Sequence, residues 1–159
     1  MDFEYASPNS AAFDIANHFH EWTADYHGPA PHILDPSRYP TEKERNNFYR
    51  AYLTHASEPF PTGVSAMATT DERSEPSGSE AHKVSGEEAD CRRLEAQVRA
   101  WSPASHAMWA VWGIIQARED LELAAQGENS AVEEPEFDYL GYAKCRVEGF
   151  RREIAALNL

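Results

Sequence analysis

Residues 57–89 constrain this chain more than any other feature, because apolar periodicity stops there. Ser, Glu, Gly, Pro and Thr dominate the stretch. Such a composition buries too little apolar surface to offset its ordering entropy, which predicts a disordered segment. Neither flank is long enough to build a good core alone. Helical patterning resumes after the stretch, so the flanks are expected to share one core. Residues 1–159 then form a single lobe, with 57–89 as an insert within it.

The flanks read as helices. Phe3 and Tyr5 alternate with Asp2 and Glu4, the pattern of a short strand end over residues 1–5. A turn at Ser7-Pro8-Asn9-Ser10 follows, with Asn9 or Ser10 as the helix cap. A helix is predicted over about 11–26, with Ile15, Phe19, Trp22 and Tyr26 on one apolar stripe. Asp14, His18, Glu21 and Asp25 form a second, acidic stripe. Pro29, Pro31, Pro36 and Pro40 mark an extended loop. Thr41-x-x-Glu44 is a capping box, opening a helix to about 55 with Phe48, Tyr49 and Tyr52 among its buried side. Further helices are predicted over about 87–100, from Ser102-Pro103 to about 125, and over about 138–157. The expected fold class is mainly α, with at most one short strand at the N-terminus.

Charge narrows the partners. Lys and Arg total 14, Asp and Glu 27, for a formal net charge of -13. Nucleic acid binding needs clustered cations and is not expected; a small cationic ligand suits the field better. The longest apolar run, Ala107 to Ile115, is too short to span a bilayer, so no membrane insertion is expected. The N-terminal residues lack the basic and apolar regions of a signal peptide. Cys91 and Cys145 are too few for a disulfide framework and read as free thiols in a reducing cytoplasm.

Several residues could carry chemistry. Asp2 and Glu4, two apart on a strand, point to one side. Two hard carboxylates there could hold Mg²⁺ or form a solvated polar edge. Asp14 and Glu21 lie about two turns apart on a helix, a spacing most often found on solvated faces. Trp109 and Trp112 share a helix face, and Tyr139 and Tyr142 repeat the spacing; core packing is the usual fate of such pairs. His18, His20 and Glu21 could suggest zinc, but His20-Glu21 is followed by Trp-Thr-Ala, so no His-Glu-x-x-His motif exists. A packing or surface role is expected for both histidines.

Three blocks carry a resemblance. Asp2-Phe-Glu-Tyr-Ala-Ser-Pro-Asn9 with Phe13-Asp-Ile-Ala-Asn-His-Phe-His-Glu-Trp22 resembles the signature of choline/ethanolamine kinases. Ser-His-Ala-Met-Trp-Ala-Val-Trp-Gly-Ile-Ile-Gln-Ala, within 104–117, resembles the paired-tryptophan helix of that family. Phe137-Asp-Tyr-Leu-Gly-Tyr-Ala143 resembles its Phe-x-Tyr-x-x-Tyr-Ala. The blocks occur in the family's order. Pro8 departs from it, standing where an aromatic residue is frequent, and residues 57–89 look longer than the usual connection.

The resemblance implies the C-terminal helical lobe of a protein-kinase-like fold. It implies an ATP-dependent phosphotransfer to choline or ethanolamine, the first step of a phospholipid synthesis route. Asp2 would be the metal-binding Asp that holds Mg²⁺ against the ATP phosphates, and Glu4 a second ligand or its orienter. Glu21 matches an acid bordering both the metal region and the choline pocket. Residues matching Tyr5, Tyr26, Trp109, Trp112, Phe137 and Tyr142 line or border that pocket. A quaternary ammonium donates no N–H hydrogen bond, so π faces and anions must recognise it, at about 0.5–2 kcal/mol per ring.

A kinase of this family also has a lobe covering ATP and a His-x-Asp-x-x-x-x-Asn loop. Both are expected before Asp2, where this chain has only Met1. The chain alone is therefore expected to be inactive, with ATP engaged through that other lobe and a homodimer among the partners the family implies. The alternative is a non-catalytic remnant that binds choline or modulates a kinase dimer.

Overall fold

In the computed structural model of the protein, residues 8–56, 80–118, 121–122 and 137–157 are described. Their fold is mainly helical, with four helices and no strand, as expected for a kinase-like helical lobe. The strand expected over residues 1–5 lies outside the described residues. The chain divides into two compact units: Met1–Pro40 with Gln97–Leu159, and Thr41–Ala96.

In the first unit, α1 spans Ala11–Glu21. Ser10 is its N-cap by position, but its hydroxyl makes no capping bond. The Ser10 carbonyl instead accepts from the amides of Phe13 at 2.9 Å and Asp14 at 3.3 Å. Ala12, Phe13, Ile15, Ala16, Phe19 and His20 are buried along one face. The helix ends five residues before the expected 26. Thr23 is the reason: its hydroxyl and its amide both close on the His20 carbonyl, at 2.6 and 3.0 Å. Those bonds satisfy an orphan carbonyl and tighten the last turn. Trp22 and Tyr26 consequently leave the helical stripe and are 42% and 49% exposed.

The loop that follows is pinned to the same unit. The Asp35 amide donates to the Thr23 carbonyl at 2.8 Å. The Leu34 amide reaches the Cys145 sulfur at 3.4 Å. A short 3₁₀ turn, Pro36–Arg38, is capped by the Asp35 side chain.

In the second unit, α2 spans Glu42–Ala56 and begins at the expected capping box. Glu44 Oε2 accepts from the Thr41 amide at 2.8 Å, and the Glu44 amide approaches Thr41 Oγ1 at 3.4 Å. Of the three aromatics expected on its buried side, Tyr49 is fully buried, whereas Tyr52 is 37% exposed. Arg45 and Tyr49 converge on one carboxylate. Arg45 donates from Nε to Glu95 Oε2 at 3.1 Å and from Nη2 to Oε1 at 2.8 Å. Tyr49 donates to Oε2 at 2.6 Å. A bidentate, partly buried guanidinium–carboxylate pair is among the stronger polar contacts available. Replacing Glu95 with Gln is expected to cost about 2 kcal/mol, because one charge and the fork geometry are lost together. Urea denaturation checks this; a change within about 0.5 kcal/mol, the ordinary surface range, would show that the trio is only decorative.

The third helix, α3, spans Glu80–Gln116. Two expectations fail here. Residues 80–89, assigned above to the disordered insert, are helical, and the remainder, 57–79, lies outside the described residues. Glu80, Ala81, Lys83, Glu87, Glu88 and Ala89 are good helix formers with no proline among them, so composition alone misplaced the boundary. The helix also continues through Pro103, where a new one was expected. Proline removes an amide and crowds the preceding turn, at about 3 kcal/mol. Burial on both sides of it, at Val98, Ser102, Ser105, His106 and Ala110, offsets that cost.

The last helix, α4, spans Tyr139–Ala156, with Asp138 as N-cap accepting from the Gly141 amide at 2.7 Å. It lies against α3 at two close approaches. A Cβ on Gly113 would come within 3.1 Å of the Tyr139 carbonyl, and one on Gly149 within 2.5 Å of His106 Cε1. Glycine at both positions lets these helices meet.

Candidate functional site

The end of α1 and the second turn of α4 place one acid and one base together. Arg146 is fully buried, and its Nη2 faces Glu21 Oε1 at 3.4 Å. Its Nε donates to the Tyr142 hydroxyl at 2.9 Å, and its guanidinium carbon lies 5.0 Å from the centre of the Tyr142 ring. Tyr26, beyond the helix end, donates to Glu21 Oε2 at 2.8 Å. Burial and the Glu21 carboxylate push the Tyr26 phenol well above its ordinary pKa, so it keeps its proton and donates. Burial also raises Tyr142, against the pull of Arg146. Glu21 therefore stands at the protein surface, 40% exposed, with each oxygen held by a different donor.

Aromatic rings continue from Tyr142. Its ring meets Trp112 at 6.0 Å and Phe137 at 5.7 Å. Trp112 meets Trp109 at 5.5 Å and Tyr139 at 5.6 Å, both edge to face. These are the offset geometries that aromatic pairs prefer. Trp109, Trp112 and Phe137 are partly buried and pack on a small core of Ala24, Leu34 and Tyr142. The indole N–H of Trp109 donates to Asn17 Oδ1, which also takes the Ser105 hydroxyl at 3.0 Å. Asn17 thus sets the orientation of Trp109 from the facing helix.

Six residues singled out in the sequence are brought into this arrangement: Glu21, Tyr26, Trp109, Trp112, Phe137 and Tyr142. Asp2, Glu4 and Tyr5 lie outside the described residues. Sequence reasoning missed Arg146 and Asn17. Arg146 is one turn from Tyr142 on the predicted last helix, a spacing that could have flagged it. Asn17 sits inside the Asn-His-Phe-His-Glu-Trp block, but no local spacing links it to its partners Ser105 and Trp109 on α3. His20 was expected to pack or lie at the surface; it is buried, 2% exposed, beside His106 and Glu153. No helix among the described residues is long and apolar enough to cross a membrane.

The sequence profile of the choline/ethanolamine kinase family matches residues 1–151. A choline kinase of Schizosaccharomyces pombe is 35% identical over 181 aligned positions, covering 100% of this chain and 38% of the relative. A probable choline kinase 3 of Arabidopsis thaliana is 36% identical, over 94% of this chain and 32% of the relative. A human choline/ethanolamine kinase is 31% identical, over 99% of this chain and 32% of the relative. The chain spans about a third of the length of these curated relatives, as their 38%, 32% and 32% coverage shows. With the three sequence blocks in order and the profile matching nearly the whole length, the chain belongs to the choline/ethanolamine kinase family.

Proposed function

We propose that this chain supplies the amine-binding part of an enzyme that moves the γ-phosphoryl group of ATP to the hydroxyl of choline, or of ethanolamine. The product, phosphocholine, enters phospholipid synthesis. The observation that carries this reading is the joining of one fixed carboxylate to a set of half-buried aromatic rings. Arg146 ties Glu21 to Tyr142, and Tyr142 begins the ring series of Trp112, Trp109 and Phe137. A quaternary ammonium offers no hydrogen to donate, so an anion with π faces is the chemistry that recognises it. Asp2 and Glu4 offer hard oxygen ligands suited to Mg²⁺, which would offset phosphate charge during transfer. The rest of such an enzyme, beyond the third represented by this chain, provides the ATP lobe and the group that takes the hydroxyl proton. The cytoplasm is the compartment this reading assigns to the reaction, in keeping with two free cysteines and no described helix able to cross a membrane.

The test is Glu21→Gln in a complete kinase containing this segment. Gln keeps the size and one acceptor but removes the charge. The KM for choline is expected to rise about tenfold, equivalent to about 1.4 kcal/mol, with the KM for ATP unchanged. An unchanged choline KM, or an equal rise for ATP, would remove Glu21 from the amine site.

A further inference from the structure

We propose that His20, His106 and Glu153 form a binding site for a divalent transition-metal ion of the Zn²⁺ type. The three residues come from α1, α3 and α4 of the same unit. His20 and His106 are 2% and 3% exposed, and Glu153 is 25% exposed. Nε2 of each histidine lies 3.4 Å from Glu153 Oε1, and one ligand atom from each residue falls within 4.8 Å of the others. Ligands at about 2.0–2.1 Å from a tetrahedral Zn²⁺ stand about 3.3 Å apart. Two edges of that tetrahedron are already in place.

The hydrogen-bond inventory shows why a cation belongs there. The Trp109 indole can only donate, so the Asn17 atom it meets is the carbonyl oxygen. The Ser105 hydroxyl spends its proton on the same oxygen, at 3.0 Å. Ser105 Oγ is then the acceptor for His20 Nδ1–H, at 3.1 Å. That fixes the His20 tautomer and leaves Nε2 with a lone pair, facing a carboxylate oxygen at 3.4 Å. The one proton on the Ser102 hydroxyl has two claimants, His20 Nε2 at 2.9 Å and the Glu153 carboxylate. Two more buried atoms of the cluster, His106 Nδ1 and Glu153 Oε2, have no hydrogen-bond partner among the described residues. Acceptors outnumber donors, and a metal ion removes the deficit.

Two imidazole nitrogens and one carboxylate favour Zn²⁺ over Mg²⁺ or Ca²⁺, which take oxygen. The chain of Ser105 and Asn17 behind His20 is the outer support that orients a metal-bound imidazole. A cavity of about 250 Å³, lined by Thr23, Tyr39 and Arg152 beside the three residues, gives an entry path and room for a fourth, water ligand. The two imidazole rings stack at 4.0 Å with planes 25° apart, so binding one ion through both requires them to turn and aim their in-plane lone pairs inward. The site shares no residue with the Asp2 and Glu4 pair.

The experiment is metal titration of the chelator-treated chain, with Zn²⁺ by calorimetry and Co²⁺ by visible absorption. One ion per chain is expected, with a tetrahedral Co²⁺ spectrum and no thiolate charge-transfer band. Glu153→Gln and His106→Gln are expected to weaken binding at least tenfold. Ser105→Ala, which only releases the outer support, should weaken it about tenfold. Circular dichroism establishes that each variant is folded; if the ligand variants are not, Ser105→Ala decides. The proposal is overturned if the parent chain binds no ion, if a thiolate band places it on Cys91 or Cys145, or if the folded variants bind as the parent does.

Discussion

Arg146→Ala is expected to destabilise the chain by about 3–5 kcal/mol, in the range for truncating a large buried side chain or breaking a buried ion pair. The size does not come from the Glu21 pair alone. Glu21 is 40% exposed, so water screens that interaction and can replace it. It comes from the fully buried position of Arg146 and from what the truncation leaves behind. The long stem vanishes from a packed site, and the buried Tyr142 hydroxyl loses the donor it meets at 2.9 Å. Arg146→Met separates the two contributions. Met restores much of the volume without the charge, so most of the stability should return. The amine site should not recover, because neither Glu21 Oε1 nor the Tyr142 ring is held by a cation any longer. Urea denaturation of both variants, with choline KM measured in a complete kinase, checks the pair. An Ala variant within 1 kcal/mol of the parent would mean that Arg146 does not organise this end of α4.

The same residue shows where sequence reading reached and where it stopped. Local signals were legible: the Thr41-x-x-Glu44 box opens α2, and α4 occupies Tyr139–Ala156 against an expected 138–157. Such features are decided by residues a few positions apart, and the sequence displays them directly. Arg146 and Glu21 are 125 positions apart, and Trp109 and Asn17 are 92 apart. No spacing rule links residues at such separations; only the fold does. Arginine also reads as a surface residue by default, which hid a fully buried one. Pro103 misled in the opposite sense, because a strong local rule lost to burial of the helix on both sides of it. His20 and His106 show the limit for metal sites. The sequence shows no His-Glu-x-x-His motif at His20, and the two residues that gather about it come from two other helices.

Trp112→Ala, in a complete kinase, is expected to raise the KM for choline about 100-fold, and Trp112→Phe about fivefold. Trp112 is the centre of the ring series, meeting Trp109, Tyr139 and Tyr142 at 5.5, 5.6 and 6.0 Å. In the proposed amine site, alanine would remove one ring face offered to the cation and also loosen the three rings that lean on it. That combined loss corresponds to about 2.7 kcal/mol. Phenylalanine keeps a π face and most of the bulk but presents a weaker negative potential than indole, a loss of about 1 kcal/mol. Trp109→Phe is a useful companion. It removes the indole donor to Asn17, whose oxygen still receives the Ser105 hydroxyl at 3.0 Å, so the polar penalty is small. Ethanolamine should suffer less from each change, because its ammonium can donate hydrogen bonds to Glu21, whereas choline depends on π faces. The KM for ATP should not move. A merely packing role makes the opposite prediction: both amines lose equally, in step with the drop in stability. That result would return the tryptophans to the core and leave amine selectivity to other residues.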